Sequence, residues 1–152
     1  MTDAGPRYAD AWDSPGFLLW HATLRWQRAI AEALEPLGLT HVQFVLLAST
    51  WWLCEHEGPP RQRDLADHAG TDPMMTSQVA RTLESKGLLV REVDAQDARA
   101  WRLRPTKAGS TLARKALGAV ESADATYFEQ VPQRSRAGML AALKELGGRP
   151  QR

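Results

Sequence analysis

The chain has 152 residues, 43% of them hydrophobic and 24% charged, and a formal net charge of +1 at neutral pH. This length suits one domain with a real core, and no apolar run reaches the roughly 18–20 residues that cross a bilayer. The N-terminus carries acids and no export signal, and the single cysteine, Cys54, excludes an internal disulfide and a cysteine zinc cage. We therefore expect a cytoplasmic protein without a membrane partner.

The first third of the chain predicts two long helices. Ser14-Pro15 is a serine cap followed by proline at the first helical position, and an apolar stripe then continues for about 20 residues towards Pro36. Thr40 predicts the next N-cap. The run 42–54 is apolar on nearly all sides, which indicates a helix buried in the middle of the fold.

Two short helices are predicted next. The first extends over residues 61–69 and ends at Gly70, and the second begins at Asp72-Pro73 and extends to Lys86. The outward face predicted for the second helix consists of Thr76, Ser77, Gln78, Arg81 and Thr82. Two helices joined by a tight glycine turn, the second polar on its exposed face, form a helix-turn-helix pattern.

A charged hairpin and two more helices complete the predicted order. Residues 88–93 and 99–104 read as strands on either side of a turn, which makes a wing directly after the helix pair. Thr106 caps a long helix, and a last helix follows Pro132. The predicted fold class is therefore mainly α with a small β-hairpin wing.

Charge is unevenly distributed along the chain. Residues 1–60 hold three basic and seven acidic side chains, a balance of −4, whereas residues 98–120 hold six basic side chains and no acid. Phosphate contact needs local positive charge, because neutralising phosphates releases condensed counterions. A solvated basic face would give the same count, so the run alone leaves nucleic-acid binding open.

Three motifs in this order resemble the MarR family over roughly residues 14–147. The segment 72–89 is similar to that family's recognition helix and strand entry, Asp94-Ala-Gln-Asp-Ala-Arg99 to its wing motif, and Thr106-Lys-Ala-Gly109 to its entry into the dimerisation helix. In the wing motif, Ala98 stands where glycine is usual in that family.

The resemblance implies a fold and a function. It implies one domain over residues 1–152, with dimerisation and core helices at about 14–57, a winged helix-turn-helix DNA-reading lobe at about 58–105, and C-terminal dimerisation helices at about 106–147. It also implies a homodimer that binds a palindromic operator in double-stranded DNA, because two lobes related by a two-fold axis read both half-sites. Within the family, a repressor released by a small-molecule effector is the expected role, with an aromatic acid among the candidate effectors.

The recognition helix supplies the first set of expected DNA contacts. Its N-terminal end and outward face meet base edges in a major groove about 12 Å wide. The candidates are Met75, Thr76, Ser77, Gln78 and Arg81. Gln78 can read adenine through its paired donor and acceptor, and Arg81 can read guanine or hold a phosphate. For Met74 the sequence is compatible with a place in the core and with a place in the major groove.

The wing and the short helix supply the second set. By resemblance, Arg99 enters the minor groove, while Asp97 orients Arg99, forms the turn, or does both. Arg61, Arg63 and Arg102 are candidates for phosphate contact, although an ordinary exposed basic face would look the same.

Six tryptophans in 152 residues suggest aromatic surfaces beyond the core. In the family that the chain resembles, small aromatic acids bind between the dimerisation helices and the DNA lobe. The candidate lining residues are Trp20, His21, Arg25, Trp51 and Trp52. Packing of the core and of the dimer seam would explain the same indoles.

The sequence offers weaker support for other functions. Cys54 could serve a redox-responsive regulator, but it has no cationic neighbour in sequence, and His41, Glu55, His56, Glu57 and His68 match no compact metal motif. A winged-helix module that binds proteins would have no reason to keep a polar outward helix and a basic wing. No nucleophile elbow or phosphate-binding glycine loop is present, so we expect no catalytic residue, no metal and no cofactor.

Overall fold

The computed structural model describes residues 5–148, which form six α-helices and one two-stranded hairpin. The helices are α1 (Pro15–Leu34), α2 (His41–His56), α3 (Gln62–Ala69), α4 (Pro73–Ser85), α5 (Lys107–Phe128) and α6 (Gln133–Leu146). The strands are β1 (Leu89–Val93) and β2 (Trp101–Pro105), and short 3-10 turns at Ala11–Asp13 and Glu35–Leu37 flank α1. The predicted order of elements is confirmed.

Four of the helices begin at the caps that the sequence predicts. The Ser14 hydroxyl accepts from the Phe17 backbone N–H at the start of α1, and Thr40 forms a reciprocal capping box with Gln43 at the start of α2. Asp72 caps α4 and Thr106 caps α5, each through a hydrogen bond to the backbone N–H three residues on. These side chains satisfy amide donors that a helix leaves unpaired in its first turn.

Helix α2 occupies the centre of the fold. It packs against α1, α3, α4, α5 and β2, and it buries Phe44, Leu46, Leu47 and Leu53. Thr50, also fully buried, donates its hydroxyl proton to the Leu46 carbonyl, so no polar group is left without a partner there. The central position predicted from the apolar run is confirmed.

Helices α1 and α5 are tied together by two polar contacts across their packing face. The Trp26 indole N–H donates to Asp124 Oδ1 at 2.8 Å, and the Tyr127 hydroxyl donates to the Ala22 carbonyl at 3.0 Å. These contacts join residues about a hundred positions apart in the chain and hold the two long helices together.

The hairpin is antiparallel, with a register from Leu89 opposite Pro105 to Val93 opposite Trp101. Strand β2 begins at Trp101 and not at Arg99, as was predicted. The reason is that the turn takes more residues: the Ala100 N–H donates to the Asp97 carbonyl at 2.9 Å. This leaves Arg99 in the turn.

The wing is joined to the start of α3 by a short third strand contact. Arg61 pairs with Arg102 in an isolated antiparallel bridge, and the Leu103 N–H donates to the Pro60 carbonyl at 2.9 Å. The segment before α3 therefore lies against β2, so the hairpin does not project as an isolated ribbon.

The entry to α5 is packed closely on the entry to β1. The Thr106 hydroxyl donates to the Gly87 carbonyl at 2.7 Å, and the Thr106 N–H donates to the Leu88 carbonyl at 3.0 Å. A methyl group added at Gly109 would overlap the Leu88 carbonyl oxygen. The glycine of the Thr-x-x-Gly motif is therefore required by close approach of two backbones.

Apolar surface is concentrated on the N-terminal half of α1 and on α6. Helix α6 buries none of its side chains within one chain. The exposed large apolar residues of these two helices are Leu18, Leu19, Trp20, Leu24, Leu140, Leu143 and Leu146. Within residues 5–148 no single helix is long and apolar enough to cross a membrane, and the pair Pro15–Leu37 and His41–His56 passes such a test only together, across a 74° bend.

Candidate nucleic-acid interface

Helix α4 presents a mixed stripe to solvent. Met74, Gln78, Arg81 and Ser85 are exposed and lie four, three and four residues apart. At about 100° per residue these positions fall within roughly 60° of one another on the helix surface. The stripe begins at the helix N-terminus, the end that reaches deepest when a recognition helix enters a major groove.

Thr76 does not belong to this stripe, and its predicted outward orientation is wrong. It is fully buried on the opposite side of α4, with Ala80 and Leu83. Its hydroxyl lies 2.7 Å from the Thr71 hydroxyl and 2.8 Å from the Asp72 carbonyl, to which it donates. The polar group is thus satisfied inside the helix-turn-helix, where it joins the turn to the second helix.

The other predicted positions on α4 differ in how far they are exposed. Gln78 and Arg81 are exposed, Met75 is 43% exposed, and Ser77 is half-buried. Met74, which the sequence left open, is 72% exposed and contributes nothing to the core of this chain. Along the exposed stripe, α4 therefore presents an apolar side chain, then an amide, then a guanidinium.

A buried carboxylate holds the base of the wing. Asp94 is only 4% exposed, and its Oδ2 accepts from Arg61 Nη2 at 3.0 Å and from Arg102 Nε at 2.8 Å. Its Oδ1 accepts from the Gln96 N–H at 2.8 Å. That backbone hydrogen bond, with the two guanidinium groups, lowers the pKa of Asp94 to about 2, although burial acts in the opposite direction. Asp94 is therefore ionised near neutral pH.

Two of the candidates for phosphate contact, Arg61 and Arg102, are engaged within the chain, and their contact with phosphates stays a prediction. Both donate to Asp94, and Arg102 also donates to the Pro59 carbonyl at 2.6 Å. They attach the wing to the start of α3, because the buried carboxylate is compensated by cations from two different elements. Asp94 itself was not predicted as a site residue. The available sequence signal was an aspartate at the start of the wing motif, next to the same hairpin that contains Arg102.

The tip of the wing keeps one exposed cation. Arg99 is exposed, and its backbone N–H, not its guanidinium, donates to Asp97 Oδ1 at 3.0 Å. Asp97 therefore acts as a turn-forming aspartate, one of the two roles considered for it. Arg63 on α3 is exposed as well. Among residues 5–148, Arg63, Arg81 and Arg99 have no ion-pair partner, so α3, α4 and the wing each carry an unpaired cation.

An apolar pair also lies on the wing. Val93 and Trp101 are directly opposite each other in the hairpin and are 52% and 51% exposed. Side chains alternate along a strand, so Val93 and Trp101 lie on the same face of the hairpin as Arg91 and Leu103, which are nearer the body of the protein. Arg91 forms an ion pair with Glu84 of α4 at 2.9 Å. The pair therefore lies on the α4 side of the wing, closer to the tip.

The five residues predicted to line an effector pocket lie on two different surfaces. Trp20 and Arg25 are exposed on α1, where His21 packs against Trp12 and Phe17. Trp51 and Trp52 are half-buried on α2 and pack against the core.

Trp52 is stacked between two imidazoles. The ring centroids lie 4.3 Å from His56 and 5.4 Å from His68. None of the five predicted residues lines the groove of about 460 Å³ between α1 and α5, or the open groove of about 590 Å³ along α5 between Lys107 and Lys115.

Cys54 is held in a setting that disfavours its thiolate. Its Sγ lies 3.7 Å from the Leu103 carbonyl, and burial raises the pKa of the thiol above its ordinary value. Because the thiolate is the reactive form, a raised pKa makes this cysteine slow towards oxidants. Within the described part of the chain, no three His, Cys, Asp or Glu side chains form a group that could hold a metal ion.

Comparison with known proteins gives consistent results. A sequence profile of the MarR family matches residues 39–101. The uncharacterised HTH-type transcriptional regulator YdcH of Bacillus subtilis is 42% identical over 133 residues, which cover 88% of this chain and 89% of YdcH. The HTH-type transcriptional repressor Rv2887 of Mycobacterium tuberculosis is 30% identical over 136 residues, or 89% of this chain and 95% of the repressor.

Solved structures show the same likeness in three dimensions. CouR of Rhodococcus jostii, crystallised with p-coumaroyl-CoA, superposes with a TM-score of 0.80 at 28% identity, covering 95% of this chain and 99% of CouR. The salicylic acid complex of Rv2887 superposes with a TM-score of 0.67 at 28% identity, covering 88% of this chain and 96% of that one.

Proposed function

This chain belongs to the MarR family of transcriptional regulators, and we propose that it binds a palindromic operator in double-stranded DNA as a homodimer and is released by a small-molecule effector. Members of this family are regulators and not enzymes. Its place of action would be the cytoplasm, where bacterial DNA is accessible.

The observation that carries the DNA-binding proposal is the set of unpaired groups on three adjoining elements. Gln78 and Arg81 on α4, Arg63 on α3 and Arg99 at the wing tip are exposed. An amide and a guanidinium on the recognition helix suit base edges in the major groove, and an arginine on the wing suits a narrow minor groove. Arg63 suits a phosphate.

The homodimer rests on the apolar surface of α1 and α6. Leu140, Leu143 and Leu146 form one face of α6, and no other part of the described chain covers it. A second copy that presents the same helices would bury this surface and place two α4 helices in one assembly. A half-site spacing of about one DNA turn, roughly 34 Å, follows for such a dimer.

The effector proposal rests on the relatives. CouR was crystallised with p-coumaroyl-CoA and Rv2887 with salicylic acid, so two relatives at 28% identity bind molecules with an aromatic ring. We propose an aromatic acid or its thioester as the effector class here. Trp20, His21 and Arg25 on α1 border the surface that a second copy would cover, and Trp51 and Trp52 stay proposed lining residues.

The DNA proposal is tested by separating base reading from phosphate contact. An operator is selected from a random duplex pool, and binding of wild type and Gln78→Ala is measured on the operator and on random duplex. Loss of a direct base contact typically costs about 1–3 kcal/mol, so operator binding should fall about tenfold while random binding hardly changes. Gln130→Ala, at an exposed position outside α4, the wing and α6, is the matched control.

Two results would contradict the proposal. If no duplex is enriched and random binding does not weaken steeply with salt, the protein is not a DNA-binding regulator. If Gln78→Ala weakens operator and random binding equally, α4 contacts the backbone and does not read bases.

Addition of salicylic acid or p-coumaric acid to the complex then tests release, and a lack of effect across aromatic acids and thioesters would remove the effector class.

A further inference from the structure

We propose that Met74 contacts the methyl group of a thymine in each half-site, and so helps to determine which operator the protein selects. The inference rests on the proposed DNA binding by α4. It adds a base preference and a residue that carries it.

Met74 is placed where a base-contacting side chain must lie. It is the second residue of α4, directly after Pro73, and it lies one turn before Gln78 on the exposed stripe. Helical side chains lean towards the N-terminus, so the side chain at this position extends past the end of the helix. Of the α4 stripe, Met74 is therefore the side chain that reaches furthest along the helix axis.

The chemistry of this position is unlike that of its neighbours. Met74 is 72% exposed, compared with 43% for Met75, and Met75 is turned about 100° away from it around the helix. The buried side of α4 is complete without Met74, since Thr76, Ala80 and Leu83 fill it. A long apolar side chain is thus held in water at a place where the chain does not need it for packing.

The major groove offers one apolar group for such a side chain. Base edges there present donors and acceptors, and thymine adds its C5-methyl group. A thioether is polarisable and has three rotatable bonds, so it can adapt to a methyl group without a hydrogen bond of its own. The exposed charges nearby are favourable, because Asp72 is engaged as the N-cap and Arg81 follows on the same stripe.

The test replaces thymine by uracil, which removes only the methyl group. Each thymine of the selected operator is replaced in turn, symmetrically in both half-sites, and affinities are measured for wild type, Met74→Ala, Met74→Leu and Met75→Ala. Burial of one methyl group is worth about a fourfold change in affinity, so uracil at that position in both half-sites should weaken wild-type binding about 16-fold. Met74→Ala should be weaker on the thymine operator by a similar factor and insensitive to uracil at that position.

The variants make the outcome unambiguous. Met74→Leu should keep part of the uracil sensitivity, since it retains an apolar side chain, and Met75→Ala should keep all of it. All three should melt at the wild-type temperature if Met74 and Met75 lie outside the core. If Met74→Ala keeps the full uracil sensitivity, or if Met75→Ala loses it, the inference is wrong while DNA binding stands. If no operator can be selected, the proposed function and this inference fail together.

Discussion

The reading lobe and the terminal helices of this protein are stabilised in different ways. In the lobe, three polar contacts within the chain hold the elements together: Asp94 binds two arginines, Thr76 binds the turn before α4, and Arg91 binds Glu84. On α1 and α6, large apolar side chains remain exposed, and α6 buries none of its residues. The buried side of the lobe is complete within one chain, whereas α1 and α6 expose apolar surface like that of one partner in a dimer interface.

This difference separates the parts that recognise from the parts that assemble. A lobe held by internal ion pairs and hydrogen bonds keeps its shape whether or not a second copy is present. Helices that expose leucines require a partner, because isolated apolar stripes of this size are costly in water. Five predictions test the two regions and the junction between them, in order of decreasing effect.

Charges placed on α6 should have the largest effect. Leu140→Glu with Leu143→Glu puts two carboxylates on the apolar face, so the mass in solution should fall from about twice 16.9 kDa to 16.9 kDa. Operator affinity should fall about a hundredfold, because the second half-site is no longer linked to the first. Arg134→Glu with Ala141→Glu, on the opposite side of the helix, is the control. A double variant that remains dimeric would show that α6 is not the interface.

Gly109 tests the junction between the two regions. Gly109→Ala forces a methyl group against the Leu88 carbonyl, and overpacking of this kind costs about 3 kcal/mol, or roughly 10 °C in Tm. Gly118→Ala is the matched control, because it lies in the same helix with open space around it and should be neutral or slightly stabilising. Thermal melting of both variants decides the matter. Equal Tm values would mean that the backbones at the junction can separate at little cost.

Asp94→Asn tests whether the lobe owes its shape to the buried carboxylate. An amide cannot neutralise Arg61 and Arg102, so the wing should loosen and operator affinity should fall about tenfold, with the dimer intact. Asp97→Asn is the control, since an amide oxygen can still accept from the Arg99 N–H. Hydrogen exchange in β1 and β2 reports the loosening, and unchanged exchange would contradict the role given to Asp94.

The same carboxylate gives a pH dependence with a definite sign. The pKa of Asp94 is about 2 in the folded protein, below its ordinary value of 3.8. Its contribution to stability is therefore complete above about pH 4 and is lost as the pH falls from about 4 towards 2. The difference in unfolding free energy between wild type and Asp94→Asn should shrink across that window.

Arg99→Ala should have the smallest effect. It tests an unpaired arginine of the lobe, in contrast to the paired Arg102. Arg99 has no ion-pair partner in the described chain, whereas Arg102 does, so its loss should leave stability and dimerisation unchanged. The slope of log affinity against log salt should decrease by about one unit for each protomer. Arg114→Ala, exposed on α5, is the control. Affinity within about twofold of wild type at all salt concentrations would exclude a DNA contact at the wing tip.

The fold was predictable where short-range chemistry decides it. Ser14, Thr40, Asp72 and Thr106 each act on a backbone N–H three residues away, so their patterns are complete within one helical turn. The buried α2 was predictable because its apolar residues leave no polar face for solvent.

The site was predictable only in part. Thr76, Ser77 and Gln78 are consecutive, and consecutive residues of a helix point in directions about 100° apart, so the three cannot share one outward face. Thr76 is buried because its hydroxyl finds partners in Thr71 and Asp72, which polarity alone does not reveal. The pairing of Arg61 with Asp94 joins residues 33 positions apart, and no local pattern specifies it.

The contact between Thr106, Gly109 and the Gly87-Leu88 segment has a mechanical consequence. The contact is too close for α5 to move independently of the DNA-reading lobe, so the lobe must follow any tilt of that helix. A helix of 22 residues is about 33 Å long, and a tilt of about 5° at one end displaces the other by about 3 Å. In a dimer, α5 is thus a stiff lever arm whose angle sets the separation of the two α4 helices.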